Sequence, residues 1–367
     1  MMENRNTGIL DPRWLMRSAM RGRSSYFLIS LFLLFIVAST VQAQTGGFAG
    51  SYTRMGFGPR GMAMGNTIGS VPEEGIYTHY NPALAAFIQG HQVDIGVAAM
   101  SFDRSLNSFD ATFSLPPKAG FEIGLLNSRV KNIDARTQSG YSSGKFSTDE
   151  LQMFAAFGIN LSDKVKAGLG VKLNYAHFYS GINSNLSTDI DLGLLFQPVK
   201  PLRLGVAVQD LLSSYHWDTT NFYTTNTGEQ TKDNFPTRLR FDGSWRMMNS
   251  KLIIATEYEV RLQSSQIETV SVDTSGVFPV ERTDMSSIQT SSSQWRLGVA
   301  YRIHPRITLR GGWQFNDLKH PGYSQQPSLG FSIHLPFDRF QPSIDYAFVR
   351  EPDGVANMHV FALRFVL

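Results

Sequence analysis

From about residue 92 to residue 367, apolar and polar residues alternate with a period of two. Val165, Ala167, Leu169, Val171, Leu173 and Tyr175 share one face, and Lys166, Gly168, Gly170, Lys172 and Asn174 share the other. Leu239, Phe241, Trp245 and Met247 oppose Arg238, Arg240, Asp242, Ser244 and Arg246. Trp295, Leu297, Val299, Tyr301 and Ile303 oppose Gln294, Arg296, Gly298, Ala300 and Arg302. Alternation of this kind predicts β-strands with one apolar face. A water-soluble sandwich also alternates, but its polar face meets water broadly. In this chain the polar face is rich in arginine, glycine and small residues, and the apolar face carries large aromatics toward strand ends. That combination fits lipid outside and a wet or plugged lumen inside.

The pattern predicts fourteen strands, over about 92–102, 108–115, 121–130, 150–161, 165–179, 186–197, 202–211, 237–248, 251–262, 294–304, 306–315, 328–335, 340–349 and 357–367. Most are near the ~9–11 residues that a tilted membrane strand needs. Every second connection is short: 116–120, 162–164, 198–201, 249–250, 304–305 and 336–339. Those between include the long polar stretches 131–149, 212–236, 263–293 and 316–327. Short periplasmic turns alternating with longer external loops predict an all-β fold, a transmembrane antiparallel barrel of the outer-membrane type. Closure also removes the exposed edges that so many strands would otherwise present. Pro342 falls inside a predicted strand, where it cannot donate to the ladder, so a bulge or a strand start is expected there. The last strand places Phe361, Leu363, Phe365 and Leu367 on one face.

The first 90 residues read differently. Arg13 to Arg23 are basic, Tyr26 to Val37 form an uncharged apolar run, and small residues lead up to Ala43. This is the layout of a cleavable signal peptide over 1–43. The apolar run is shorter than the ~20 residues of a membrane-spanning helix. Residues 44–90 do not alternate and are rich in glycine. Asn81-Pro82-Ala83 looks like the start of a short helix, with Asn as cap and Pro at the first position. We expect 44–90 to form an N-terminal hatch inside or under a barrel spanning 91–367.

Charge sharpens this picture. The 33 Lys+Arg against 30 Asp+Glu would suggest a basic protein, yet residues 1–43 hold five arginines and two acids. Subtraction leaves 28 basic and 28 acidic residues from 44 onward, a net charge of zero, so no nucleic-acid partner is indicated. Zero cysteines exclude disulfides, thiolate metal sites and a cysteine nucleophile. A mean hydropathy of −0.15 is too polar for a bundle of membrane helices.

Arg60-Gly-Met-Ala-Met64-Gly65, then Tyr77 and Asn81-Pro82-Ala83-Leu84, resemble the N-terminal signature of PorV/PorQ-type proteins, members of the wider FadL-like outer-membrane barrels. Leu204 to Leu211 and Phe235 to Arg240 agree with later segments of that family. Asn66-Thr67 and Pro72-Glu73-Glu74 depart from its usual pattern. The resemblance implies a fourteen-stranded barrel with a hatch. Its candidate hatch-motif residues are Arg60, Met64, Gly65, Tyr77, Asn81, Pro82 and Ala83.

Candidate chemistry is sparse. Gly56 to Gly61 match G-x-G-x-x-G, but no strand precedes them and Pro59 interrupts, so a nucleotide site is not expected. Glu257 and Glu259 share a strand face with Arg261, which favours lumen ion pairing over acid–base work. Asp189 and Asp191 could hold calcium only with more oxygen ligands than are visible. No histidine pair has ligand spacing, and no hydrolase triad is supported. We therefore expect no enzyme, no metal and no cofactor.

The strongest chemical feature is a charged inner face: Arg238, Arg240, Asp242, Arg246, Glu257, Glu259, Arg261, Arg296, Arg302, Arg310 and Asp345. A lipid-facing arginine near the midplane would cost about 2–4 kcal/mol, so these residues should point inward. Two functions compete. The resemblance implies a barrel component of a type IX-like secretion or surface-attachment system, whose partners would be secretion-system proteins or exported cargo. The alternative is a FadL-like transporter of hydrophobic or amphipathic molecules. Both place the chain in outer-membrane lipid.

Overall fold

The computed structural model describes residues 49–137, 139–179, 181–218, 230–273, 280–315, 325–337, 340–351 and 356–367. The expected signal peptide and residues 44–48 lie outside them.

The alternating segments form β1 (Gln92–Met100), β2 (Arg104–Leu115), β3 (Ala119–Arg136), β4 (Ser142–Asn160), β5 (Val165–His177), β6 (Asn185–Val199) and β7 (Leu202–Gln209). A separate hairpin follows, β8 (Ser214–Asp218) and β9 (Gln230–Asn234). The wall resumes with β10 (Thr237–Met247), β11 (Leu252–Asp273), β12 (Val280–His304), β13 (Ile307–Phe315), β14 (Gln325–His334), β15 (Ser343–Arg350) and β16 (Asn357–Val366). Fourteen of these strands make a closed antiparallel barrel, in which β7 pairs with β10 and β1 closes on β16. Each predicted strand has its counterpart.

The expected loops 131–149 and 263–293 are corrected, because both are largely strand. The β3–β4 ladder runs out to Arg136 opposite Ser142, and the β11–β12 ladder to Asp273 opposite Val280. Beyond the bilayer both faces of a ribbon meet water, so the apolar–polar alternation disappears while the Ser-, Thr-, Val- and Ile-rich backbone keeps pairing. With 22 residues, β11 is about twice the length a membrane span requires. The strands flanking the β11–β12 pair stop earlier, β10 at Thr237 opposite Leu262 and β13 at Phe315 opposite Trp295. The stretch 212–236 contains the β8–β9 hairpin. Pro342 stands directly before β15, where its missing N–H interrupts no ladder.

Val171, Leu309, Trp245, Trp295 and Trp313 are exposed on the outer surface of the wall, whereas Arg240, Glu257 and Asp345 are buried on the inner one. Among the described residues no helix is long and apolar enough to cross a membrane; the strands supply the crossing.

The hatch fills the lumen with short helical turns over Ser51–Arg54, α1 (Pro59–Ala63), Pro72–Glu74 and Pro82–Phe87. The Pro82–Phe87 turn is a 3-10 helix, and the Asn81 side chain accepts the Ala83 N–H at its start, as the sequence predicts. The wall is thinned to receive it. A Cβ on Gly168 would lie 2.2 Å from the Pro82 carbonyl carbon, so only glycine permits this approach. Phe57, Met62, Met64, Ile68, Tyr77 and Tyr80 of the hatch share one apolar core with Phe154 and Ile253 of the wall.

Candidate functional site

The charged inner face and the hatch motif meet. Arg60 on α1 is buried, donating from Nε to Asp345 Oδ2 at 2.8 Å and from Nη2 to Ser343 Oγ at 2.8 Å, both on β15. Glu74 pairs with Arg310 on β13. Arg203 on β7 grips both oxygens of Glu73 at 3.1 Å, and Arg246 on β10 reaches the same carboxylate at 2.9 Å. Arg364 on β16 donates to Asp94 on β1 at 2.7 Å and to the Tyr77 hydroxyl at 2.6 Å. Each bond uses an inward strand position, and together they clamp one hatch from five strands. A guanidinium suits such sites because its planar fork holds a carboxylate from two nitrogens. Burial pushes the Glu73 carboxyl up, but the Arg203 and Arg246 guanidiniums outweigh it and hold the group below the usual carboxylate range.

The remaining motif residues seat the hatch by shape. Gly65 has φ +63° and lies against the Gly312 backbone, while the Met64 carbonyl faces Gly298. Pro82 and Ala83 pack onto Gly168. His79 is buried, with Nε2 3.0 Å from the Thr53 carbonyl oxygen and its ring stacked on Phe57 at 5.1 Å. Burial, together with the nearby Lys172 and Arg238, holds its imidazole well below the usual range.

A second network lies within the wall. Arg240 and Arg296 share Glu257, Arg296 also reaches Glu259 at 3.0 Å, and Arg261 pairs with Glu259. Arg240 further donates to the Asn66 carbonyl at 3.2 Å, joining this network to the hatch. Asp242 is buried opposite Glu257 but contacts no cation among the described residues. Arg238 leaves the network and pairs with Asp210 at 2.6 Å.

Arg302 is a correction. It keeps inward parity opposite Thr308, yet it is exposed, because it occupies the last regular rung before the β12–β13 turn, where the lumen opens to water. Arg246, placed on the inner face from the sequence, pairs with hatch Glu73.

Further inward charges lie outside the charged face named from the sequence, among them the Asp189 and Asp191 pair considered for calcium. Lys172 sits between Asp191 at 2.6 Å and Asp210 at 2.9 Å, close to Asp189. These three acids lie close enough to hold a metal; Lys172 is shared between Asp191 and Asp210, Arg238 pairs with Asp210, and Asp189 accepts the Ile190 and Leu212 N–H groups on one oxygen while the other has no partner among the described residues. Asp94, Asp110 and Glu122 are buried on β1 to β3. Their signal was present as acids between outward residues such as Val93, Ile95, Phe109 and Ile123.

The comparisons with known proteins agree with this architecture. The barrel is similar to the Ralstonia pickettii toluene transporter TbuX, at 14% identity, covering 85% of this chain and 98% of that one, with a TM-score of 0.57. The Pseudomonas putida toluene transporter TodX gives 14%, 85%, 96% and 0.56. A Pseudomonas aeruginosa FadL homologue gives 11%, 84%, 97% and 0.56. At these identities the likeness concerns the fold alone. No curated protein sequence matches the chain. The sequence profile of the family described as "Type IX secretion system membrane protein PorP/SprF" matches residues 137–337, more than half of the chain. The protein is therefore an outer-membrane barrel that belongs to the PorP/SprF family of type IX secretion system membrane proteins.

Proposed function

We propose that the protein acts in type IX secretion through protein contacts at its loop-side end, as a non-enzymatic adaptor with a fixed hatch. In this it would resemble the PorV/PorQ-type barrels whose signature its hatch echoes. The observation that carries this reading is the clamp. Arg60, Glu73, Glu74 and Tyr77 are bonded to β7, β10, β13, β15 and β16, and the space between them is packed with apolar side chains. Opening a passage would break buried ion pairs on several strands at once, and removing one partner of such a pair costs about 3–5 kcal/mol. The long β11–β12 ribbon, extending past its neighbours, supplies surface for a secretion partner or exported cargo.

Uptake of hydrophobic molecules is the second reading, and the toluene-transporter neighbours share only the fold with this chain. A locked hatch separates the two. The chain has no cysteine, so a cysteine pair introduced between α1 and β14, which meet where the Ser328 hydroxyl donates to the Ala63 carbonyl at 3.0 Å, can be oxidised without competing thiols. Unchanged display of cargo in the oxidised barrel supports the adaptor. Display lost on oxidation and restored by reductant, or reductant-dependent uptake of a hydrophobic probe, overturns it.

A further inference from the structure

Five short turns between wall strands are described throughout: 116–118, 161–164, 200–201, 248–251 and 305–306. Each carries one cation, Lys118, Lys164, Lys200, Lys251 and Arg306 in turn, and all five are exposed. Asp163 is the one acid in these turns. The five cations belong to none of the ion pairs among the described residues. The opposite rim is arranged differently. There Arg104 pairs with Glu351 at 2.8 Å, Arg129 with Asp149 at 3.3 Å and Arg136 with Asp134 at 2.8 Å. A chain with no net charge from residue 44 onward thus keeps unneutralised cations at its short-turn rim.

Beside every one of these cations, within three positions, stands an exposed large hydrophobe: Leu115, Leu161, Val199, Met248 and Ile303. Leu115 and Ile303 continue the outward parity of Phe113 and Tyr301, and Val199 pairs with Leu202, two positions from outward Leu204. The lipid-facing surface therefore runs down to the turns. A cation on a flexible stem at that edge reaches past the apolar layer to the level of the phosphates. The short turns of an outer-membrane barrel face the periplasm, so the leaflet beside them is the periplasmic one.

We infer that this rim is a binding surface for anionic phospholipids of the periplasmic leaflet, with the hydrophobes against the acyl chains and the five cations on the headgroup phosphates. Two observations favour lipid over an acidic soluble protein. The cations follow one another around the wall, on the β2–β3, β4–β5, β6–β7, β10–β11 and β12–β13 turns, instead of forming one patch that a single docked protein would cover. The accompanying hydrophobes would stay in lipid and give a soluble partner nothing. The surface lies at the end away from the β11–β12 ribbon and does not depend on the adaptor reading.

The test is electron spin resonance on the full chain folded into phosphatidylcholine vesicles, with spin-labelled phosphatidylglycerol or spin-labelled phosphatidylcholine as the probe. The fraction of motionally restricted label gives the relative affinity of the two headgroups for the barrel surface. One cation near an anionic headgroup is worth about fivefold, which averages to about twofold once the opposite leaflet is included. Combining Lys118→Gln, Lys164→Gln, Lys200→Gln, Lys251→Gln and Arg306→Gln should abolish this preference. An equal preference in native and variant barrels overturns the inference. So does a native barrel without preference, which would leave the rim to an acidic soluble partner. Salt gives a measurement free of variants, because exposed charges are screened. The native preference should fade at high ionic strength, and a preference that salt leaves unchanged overturns the inference even if the variant does not assemble.

Discussion

Arg60 and Asp345 stand 285 positions apart in sequence and 2.8 Å apart in the structure, joining the hatch to β15 with both side chains buried. Asp345→Asn leaves the guanidinium buried beside a neutral amide and should loosen the hatch by about 3–5 kcal/mol. Replacing both, Arg60→Met with Asp345→Leu, should recover most of that loss, because no charge is stranded. Maleimide labelling of a cysteine placed at Met64 reads the difference. Equal labelling of the single and double variants would show that the pair does not hold the hatch.

The buried His79 makes the hatch sensitive to acid. Its folded imidazole is held well below the ordinary range, so the neutral form is the one that fits. With the hatch released, the ring titrates near its usual value of about 6.5. The full contribution is therefore present above that value. It is lost progressively as pH falls below it, since the released state then binds a proton that the seated state refuses. Amide protection across Tyr77 to Leu84, corrected for the intrinsic exchange rate at each pH, should fall between about pH 7 and pH 5. His79→Gln, which keeps a donor for the Thr53 carbonyl, should flatten that dependence. Glu73 belongs to a lower window: its depressed carboxyl contributes above about 4.5 and loses that contribution as pH falls further.

The β11–β12 ribbon can be shortened without touching the wall. Leu262 faces Ser291 on the last rung shared with β10, so a short turn joining these two positions removes the projecting part alone. The barrel should still assemble and run compactly on an unheated gel, while cargo display is lost. Full display by the shortened protein would place the partner surface elsewhere.

The outer face is set by lipid. Val171 is exposed on β5, and Val171→Arg should cost about 2–4 kcal/mol if its position lies near the midplane. Val171→Leu should be silent. Heat-modifiable mobility after folding into lipid vesicles measures both. Similar yields would mean that this rung lies outside the hydrocarbon layer.

The sequence exposed the wall more readily than the clamp. A period of two is local, so Leu169 and Val171 declare an outer face and Lys172 an inner one without reference to the rest of the chain. Short turns such as that expected at 304–305, which the structure places at 305–306, were equally visible. The ribbon beyond Leu262 was not, because its pattern loses contrast once both faces meet water. The β8–β9 hairpin was hidden for the same reason. Ion-pair partners were legible only as types. Arg246 and Glu257 lie on adjacent strands, but the register sets Arg246 opposite Ile253, four rungs from the position that faces Glu257, and the hatch brings Glu73 to it instead. Arg302 had the right parity and the wrong depth, since alternation encodes direction across the wall and not height along it.

Arg364 has a consequence for how the molecule comes to exist. It lies on the last strand, its bond to Asp94 spans the seam where that strand meets the first, and its other nitrogen holds Tyr77. A guanidinium enclosed at that seam needs both partners before water leaves. Zipping the cylinder shut and loading its contents are thus one event. A chain whose hatch is absent or misplaced would bring an unmatched charge to the final joint, and the joint itself would reject it.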